Sequence, residues 1–216
     1  MRRTLPVMIV EGVGKYKLLG QTRDDAMGEC FDKCAKLLGL GYPGGPEVEK
    51  LAKECKDHKQ ALKKYPLPKP LVGKDNCDFS FSGMKTAVKR IIDNLPDVID
   101  RKDAADICCS FQASVADVVE DRLTRAVKKY LELCPDHKSP TVVVAGGVAA
   151  NKFLRERIEL IAKENNIGFA APPLKLCTDN GVMVAWAGME RLKLGLIDDT
   201  DFPVHPRWPL DGGNIK

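Results

Sequence analysis

The sequence has no apolar run approaching the ~20 residues that a membrane-spanning helix needs, so no helical span is expected. Its eight cysteines include no Cys-x-x-Cys pair, which leaves zinc-ribbon and thioredoxin-type chemistry without support. Its three histidines, His58, His137 and His205, form neither His-x-x-x-His nor the His-Glu-x-x-His of a metalloprotease. The Gly-x-x-x-x-Gly-Lys spacing of a Walker phosphate loop is missing. There is no strong excess of charge. With 34 basic against 30 acidic residues the net charge is +4, too little by itself to establish a nucleic-acid partner. No internal repeat or low-complexity stretch interrupts the chain.

What remains is an ordinary globular composition over 216 residues, 44% hydrophobic and 30% charged, long enough for a sizeable core. The cysteines read as reduced, buried packing residues. Cys30 and Cys34, one helical turn apart, are weighed as metal ligands and favoured as small core residues, because no second soft pair accompanies them. "PVMIVEGVGKYKLLGQT" predicts two short strands around a glycine turn. "RDDAMGECFDKCAKLLGL" predicts a helix with acidic residues at its start. A long amphipathic helix is predicted from Asp103 to Leu133, with Ile107, Phe111, Val115, Val118 and Ala126 on one face. A fully buried strand over Val142 to Val144 follows, then a helix from Lys152 to Asn165, a strand in "IGFAAPP", and a helix burying Val182, Ala185, Trp186 and Met189. Alternation of strand and helix in the second half argues for an α/β layer. Residues 201–216 read as a loop-like tail.

Four motifs carry candidate chemistry. "AGGVAAN" delivers Gly146, Gly147 and Asn151 at the C-terminal end of a strand, where α/β folds seat ligands. A helix N-cap at Asn151 after a permissive turn explains the same letters. "YPGGP" stiffens a glycine pair that includes Gly45, and Asp32 and Glu49 lie nearby as acceptors for ribose hydroxyls or as plain solvated acids. "FSFSGMKT" opens a helix whose free amides and Lys85 favour an anion, with capping by Ser82 as the simpler reading. In "CTDNG", Asp179 reads as an N-cap when taken alone, since one carboxylate is not a metal site.

Together and in this order, "LLGQTRDDAMGECFDKCAKLLGLGYPGGP", "CDFSFSGMKTAV", "VVVAGGVAANKFLRERI" and "LCTDNGVMVAWAGMERL" closely resemble the tRNA threonylcarbamoyladenosine synthase family, also called the glycoprotease or O-sialoglycoprotein endopeptidase-like family. The resemblance runs from about Val10 to Leu194. It implies an α/β, actin-like ATPase fold of ribonuclease-H-like topology, a mixed sheet with flanking helices, here the C-terminal portion of a two-lobed fold. On this reading residues 1–22 are remnant strands of the first lobe and residues 23–200 the nucleotide-binding lobe. The implied activity transfers a threonylcarbamoyl group from threonylcarbamoyl-adenylate to N6 of the adenosine beside the anticodon in tRNAs reading ANN codons. The implied partners are that tRNA, the adenylate or ATP, and a second copy or companion subunits. The resemblance assigns Asp32, Gly45, Glu49 and Asn151 to the adenylate, although Glu49 stands where the family usually has aspartate; with them we group Gly146 and Gly147 of the same cleft. It makes Asp179 a ligand to one divalent ion, iron or zinc. It identifies no catalytic base. Surfaces bearing Lys85, Lys89 and Arg90, or Lys152 and Arg155, are expected either to meet tRNA phosphate or to be solvated helix faces.

The family's paired histidine ligands and glycine-rich phosphate loop are not in this sequence, so the metal site is expected to be incomplete. An inactive lobe that docks tRNA or partner subunits is the alternative, and an unrelated actin-like kinase or chaperone ATPase a third. The motif wording resembles the bacterial and organellar branch. It points to mitochondria, with the cytoplasm as the alternative.

Overall fold

The computed structural model describes residues 5–96 and 98–202; His205 and the rest of the expected tail beyond 202 lie outside the described residues. The chain opens as an antiparallel hairpin, β1 (Val7–Gly12) and β2 (Lys15–Gly20). Gly14 turns it at φ 74°, a conformation that a side chain would strain. Helices α1 (Met27–Leu37), α2 (Gly44–Ala52), α3 (His58–Lys64) and α4 (Ser82–Asp93) follow. They gather around α5 (Arg101–Leu133), which at 1.5 Å per residue is about 50 Å long.

Helix α5 is the pillar of the core. Asp100 caps it by accepting a hydrogen bond from the Asp103 amide at 2.6 Å. Its predicted face is buried: Ile107, Phe111, Val115, Val118 and Ala126 all lie inside. Phe111 meets Phe31 of α1 edge-to-face, with ring centroids 5.0 Å apart. The β-branched and leucine positions of α7 (Lys152–Glu164) bury Leu154, Ile158 and Ile161 as the spacing predicts, and α7 packs on α5.

The second-half α/β layer is present as β3 (Thr141–Val143), α6 (Gly147–Ala150), α7 and β4 (Gly168–Ala170), with β3 and β4 paired in parallel across the helical crossover. Three features differ from the sequence reading. Instead of one mixed sheet, the described residues form two separate two-stranded sheets, one antiparallel and one parallel. The β3 strand is also short and half-open: Val143 is 70% exposed. The expected buried face of α8 (Gly181–Lys193) is open too, with Trp186 62% exposed and no residue of the helix buried. Periodicity marks a face that favours burial. No described element covers this one.

A carboxylate far away in sequence organises the start of α4. Asp24 accepts hydrogen bonds from the Ser80 hydroxyl at 2.5 Å, the Phe81 amide at 2.7 Å, and the Ser82 amide and hydroxyl at 3.2 and 3.0 Å. The anion expected at this helix start is therefore the protein's own, and Ser82 does not cap the helix through its side chain. Burial works to raise the Asp24 pKa, but the bonds from Ser80, Phe81 and Ser82 outweigh it and hold the carboxyl below its ordinary value of 3.8. A pKa lowered by folding adds stability that is present above the ordinary value and lost as pH falls through the folded one. Asp24→Ala is expected to cost about 2 kcal/mol at neutral pH, by loss of charge-assisted bonds and orphaned amides. The gap between variant and parent, read from urea unfolding at a series of pH values, should shrink below pH ~4. A gap that stays constant into acid would remove the carboxylate from the account.

Candidate functional site

Helix α1 brings the sequence-predicted residues into one neighbourhood, because it packs against α2, α4 and α6. Asp32 lies on α1, Gly45 and Glu49 on α2, and Gly146 and Gly147 at the start of α6. Glycine joins α1 to α2: the Gly44 amide donates to Asp32 Oδ1 at 2.8 Å. "YPGGP" is thus less a loop than expected. Pro43 is the N-cap and both glycines form the first turn of α2. The Tyr42–Pro43 peptide is cis, and Tyr42 stands 81% exposed. Asp32 and Tyr42 face a hollow of about 290 Å³ that Lys33, Lys36 and Gly41 also line.

Asp32 has a structural task with one oxygen, and its Oδ2 has no protein hydrogen bond among the described residues. Glu49 is buried, one helical turn past Gly45. Its Oε1 forms an ion pair with Lys53 Nζ at 3.1 Å but has no directed hydrogen bond within the protein. A buried carboxylate oxygen prefers directed donors, and ligand hydroxyls are one way to supply them. Gly45, Gly146 and Gly147 face open space, so backbone there is accessible to a ligand.

Asn151 sits differently. It caps α7, accepting from the Leu154 amide at 2.9 Å, and donates to Gln112 Oε1 of α5 at 3.2 Å. Both ends of its amide are engaged inside the protein, and the residue is buried. Asn151→Ala should cost about 1–2 kcal/mol of stability, while Asn151→Ser should recover part of it by restoring the cap. Equal thermal unfolding of the three proteins would show that the cap contributes nothing.

Asp179 is exposed, on the loop between a 3-10 turn (Leu174–Leu176) and α8. Its neighbour, not Asp179 itself, is the N-cap: Asn180 Oδ1 accepts from the Met183 amide at 3.0 Å. Among the described residues no other histidine, cysteine or carboxylate joins Asp179 in a metal-sized cluster. A divalent ion needs several ligands, so the residues present do not fit a metal at Asp179.

The basic surfaces divide. Arg155 donates to the carbonyls of Pro172 and Ala171, holding the segment after β4, and Lys89 pairs with Asp93 at 2.6 Å. Lys85 and Lys152 are exposed.

Sequence reasoning missed one cluster. Cys55, in the break between α2 and α3, His58, at the first turn of α3, and Cys109, on α5, bring their ligand atoms within 4.8 Å of one another. Its signature in the sequence is the Cys-x-x-His spacing of Cys55 and His58. Burial first, then Asp106 and Cys109, pushes the Cys55 thiol up to about 12, and burial raises Cys109 as well. Neither is an activated nucleophile. Cys30 and Cys34, by contrast, are core residues, with Cys30 Sγ on the Phe81 carbonyl. All eight cysteines are free thiols.

Comparison with known proteins agrees with the motif reading. The family model described as "TsaD: tRNA N6-adenosine threonylcarbamoyltransferase" matches residues 2–186. A tRNA N6-adenosine threonylcarbamoyltransferase of Paramagnetospirillum magneticum is 50% identical over 205 residues, 95% of this chain and 57% of that protein. Those of Brucella anthropi and Brucella ovis are 49% identical over 95% of this chain and 55% of theirs. The chain thus spans a little over half the length of the curated relatives it matches. The order of its glycine motifs, the helix pair that sets Asp32 beside Gly44, and the match over residues 2–186 place the chain in the tRNA N6-adenosine threonylcarbamoyltransferase family.

Proposed function

We propose that this chain supplies the adenylate-binding portion of an acyltransferase that moves a threonylcarbamoyl group onto N6 of an adenosine in tRNA. The observation that carries the reading is identity near 50% to transferases of that name over 95% of the chain. The buried oxygen of Glu49, ion-paired with Lys53 but lacking a directed hydrogen bond, is the local support.

In this proposal Glu49 Oε1 and Asp32 Oδ2 accept from the ribose hydroxyls. The open backbone at Gly45, Gly146 and Gly147 lies against the nucleoside, where a Cβ would keep it at a distance. Asn151 acts indirectly: it fixes the start of α7 and hence the end of the Gly146–Gly147 turn. Binding the adenylate rigidly places its activated carbonyl for the attacking amine, a proximity effect. Lys85 and Lys152 are the exposed cations for tRNA phosphate. A bacterial-type or mitochondrial setting, and a second copy or companion subunits, belong to the same proposal.

The test is calorimetric binding of threonylcarbamoyl-adenylate, followed by nucleoside analysis of tRNA incubated with both. Glu49→Ala should weaken adenylate binding by about tenfold or more, the loss of ~1.4 kcal/mol or more, with circular dichroism unchanged. A chain that binds no adenylate and leaves tRNA unmodified would overturn the reading.

A further inference from the structure

We propose that Cys55, His58 and Cys109 form a zinc site that fastens the α2–α3 junction to α5. The inference is independent of the transferase reading and of Asp179. Cys109 Sγ lies 3.4 Å from His58 Nδ1, and the three ligand atoms fall within 4.8 Å of one another. Tetrahedral zinc, with bonds of ~2.3 Å to sulfur and ~2.0–2.1 Å to nitrogen, sets its sulfur and nitrogen ligands about 3.6 Å apart and paired sulfurs about 3.8 Å apart. The cluster needs only small side-chain movements to meet those distances.

Local structure prepares the site from both sides. The chain breaks its helix after Ala52, and Asp57 starts α3 by accepting from the Gln60 amide at 2.9 Å. Cys55 and His58 therefore flank a short connector, with the two-residue spacing common in structural zinc sites. Cys109 presents the third ligand from the first third of α5. Asp106, one turn earlier on α5, is buried near this cluster but is not one of the three grouped ligands. Two thiols and an imidazole suit zinc over calcium or magnesium, which take oxygen ligands. His58 is exposed, which gives the ion a route in.

The test uses the full chain, purified reduced and stripped with chelator, and titrated with Co²⁺ as an optical stand-in for zinc. The expected result is one equivalent bound, with tetrahedral ligand-field absorption and a sulfur-to-cobalt charge-transfer band that added Zn²⁺ abolishes. His58→Ala, at an exposed position, should fold as the parent does and lose stoichiometric binding. Cys109→Ser should lose the charge-transfer intensity. Cys134→Ser and Asp179→Ala, outside the cluster, should bind as the parent does. The absence of the band in the parent would overturn the site, as would unchanged binding by folded His58→Ala or loss of binding in Asp179→Ala.

Discussion

Arg122→Ala is expected to lower the unfolding free energy by about 3–5 kcal/mol, from the cavity left by a fully buried side chain and the acceptors it orphans, while its partner Asp121 keeps contact with solvent. Arg122 is fully buried on α5. Its guanidinium donates to the Asn76 carbonyl at 2.8 Å and to Asn76 Oδ1 at 3.3 Å, and it binds Asp121 Oδ2 with both Nε and Nη2. One side chain thus ties the loop before α4 to the pillar of the fold. Burial acts to raise the Asp121 pKa, but the hydrogen bond and charge of Arg122 prevail and hold that carboxyl below the usual aspartate range. Truncation to alanine leaves the Asn76 carbonyl without its donor and opens a cavity as large as the arginine stem. Arg122→Met separates the two effects, since it keeps the stem and removes only the donors; it should cost less than alanine. The pair itself need not be net stabilising against a well-packed apolar substitute. Urea denaturation measures the cost, and a loss under ~1 kcal/mol for Arg122→Ala would show that the loop holds without it.

Gly44→Ala is expected to cost about 3 kcal/mol, near the upper end of ordinary overpacking. A Cβ on Gly44 would stand 2.7 Å from both the Ala35 Cβ and the Asp32 Cα, and 2.9 Å from the Phe31 carbonyl oxygen. These are backbone and backbone-proximal atoms of α1 that cannot swing aside. Relief requires α2 to move off α1, which stretches the hydrogen bond from the Gly44 amide to Asp32. Gly45→Ala is the matched control. Its Cβ meets nothing within 4 Å, so stability should change by no more than a few tenths of a kcal/mol. Adenylate binding should still fall in Gly45→Ala if the nucleoside lies against that backbone. Equal midpoints for the two alanine variants in urea would show that the helices do not meet at Gly44.

The elements most legible in the sequence are those whose evidence is local. The apolar spacing along α5 and α7 named their buried faces correctly, because a helix repeats its geometry every 3.6 residues. The wording of the glycine motifs identified the family before any coordinate. Asp32 and Gly45 stand in motifs visible in the sequence, and the packing of α1 on α2 brings those motifs together. Other features depended on residues far apart in the chain. The carboxylate at the start of α4 comes from Asp24, 57 or 58 positions before the amides it binds. The contact between His58 and Cys109 spans 51 positions. The fate of α8 shows the same limit in reverse, since its amphipathic pattern announces an apolar face that no described element covers. The long helices and the family are legible along the chain, because periodicity and motif order are properties of neighbours in sequence. That Asn151 turns both ends of its amide inward, that a buried Glu49 oxygen has an ion pair but no directed hydrogen bond, and that Asp179 stands without a second ligand among the described residues are visible only in the folded chain, because hydrogen bonds and metal ligands are satisfied by neighbours in space.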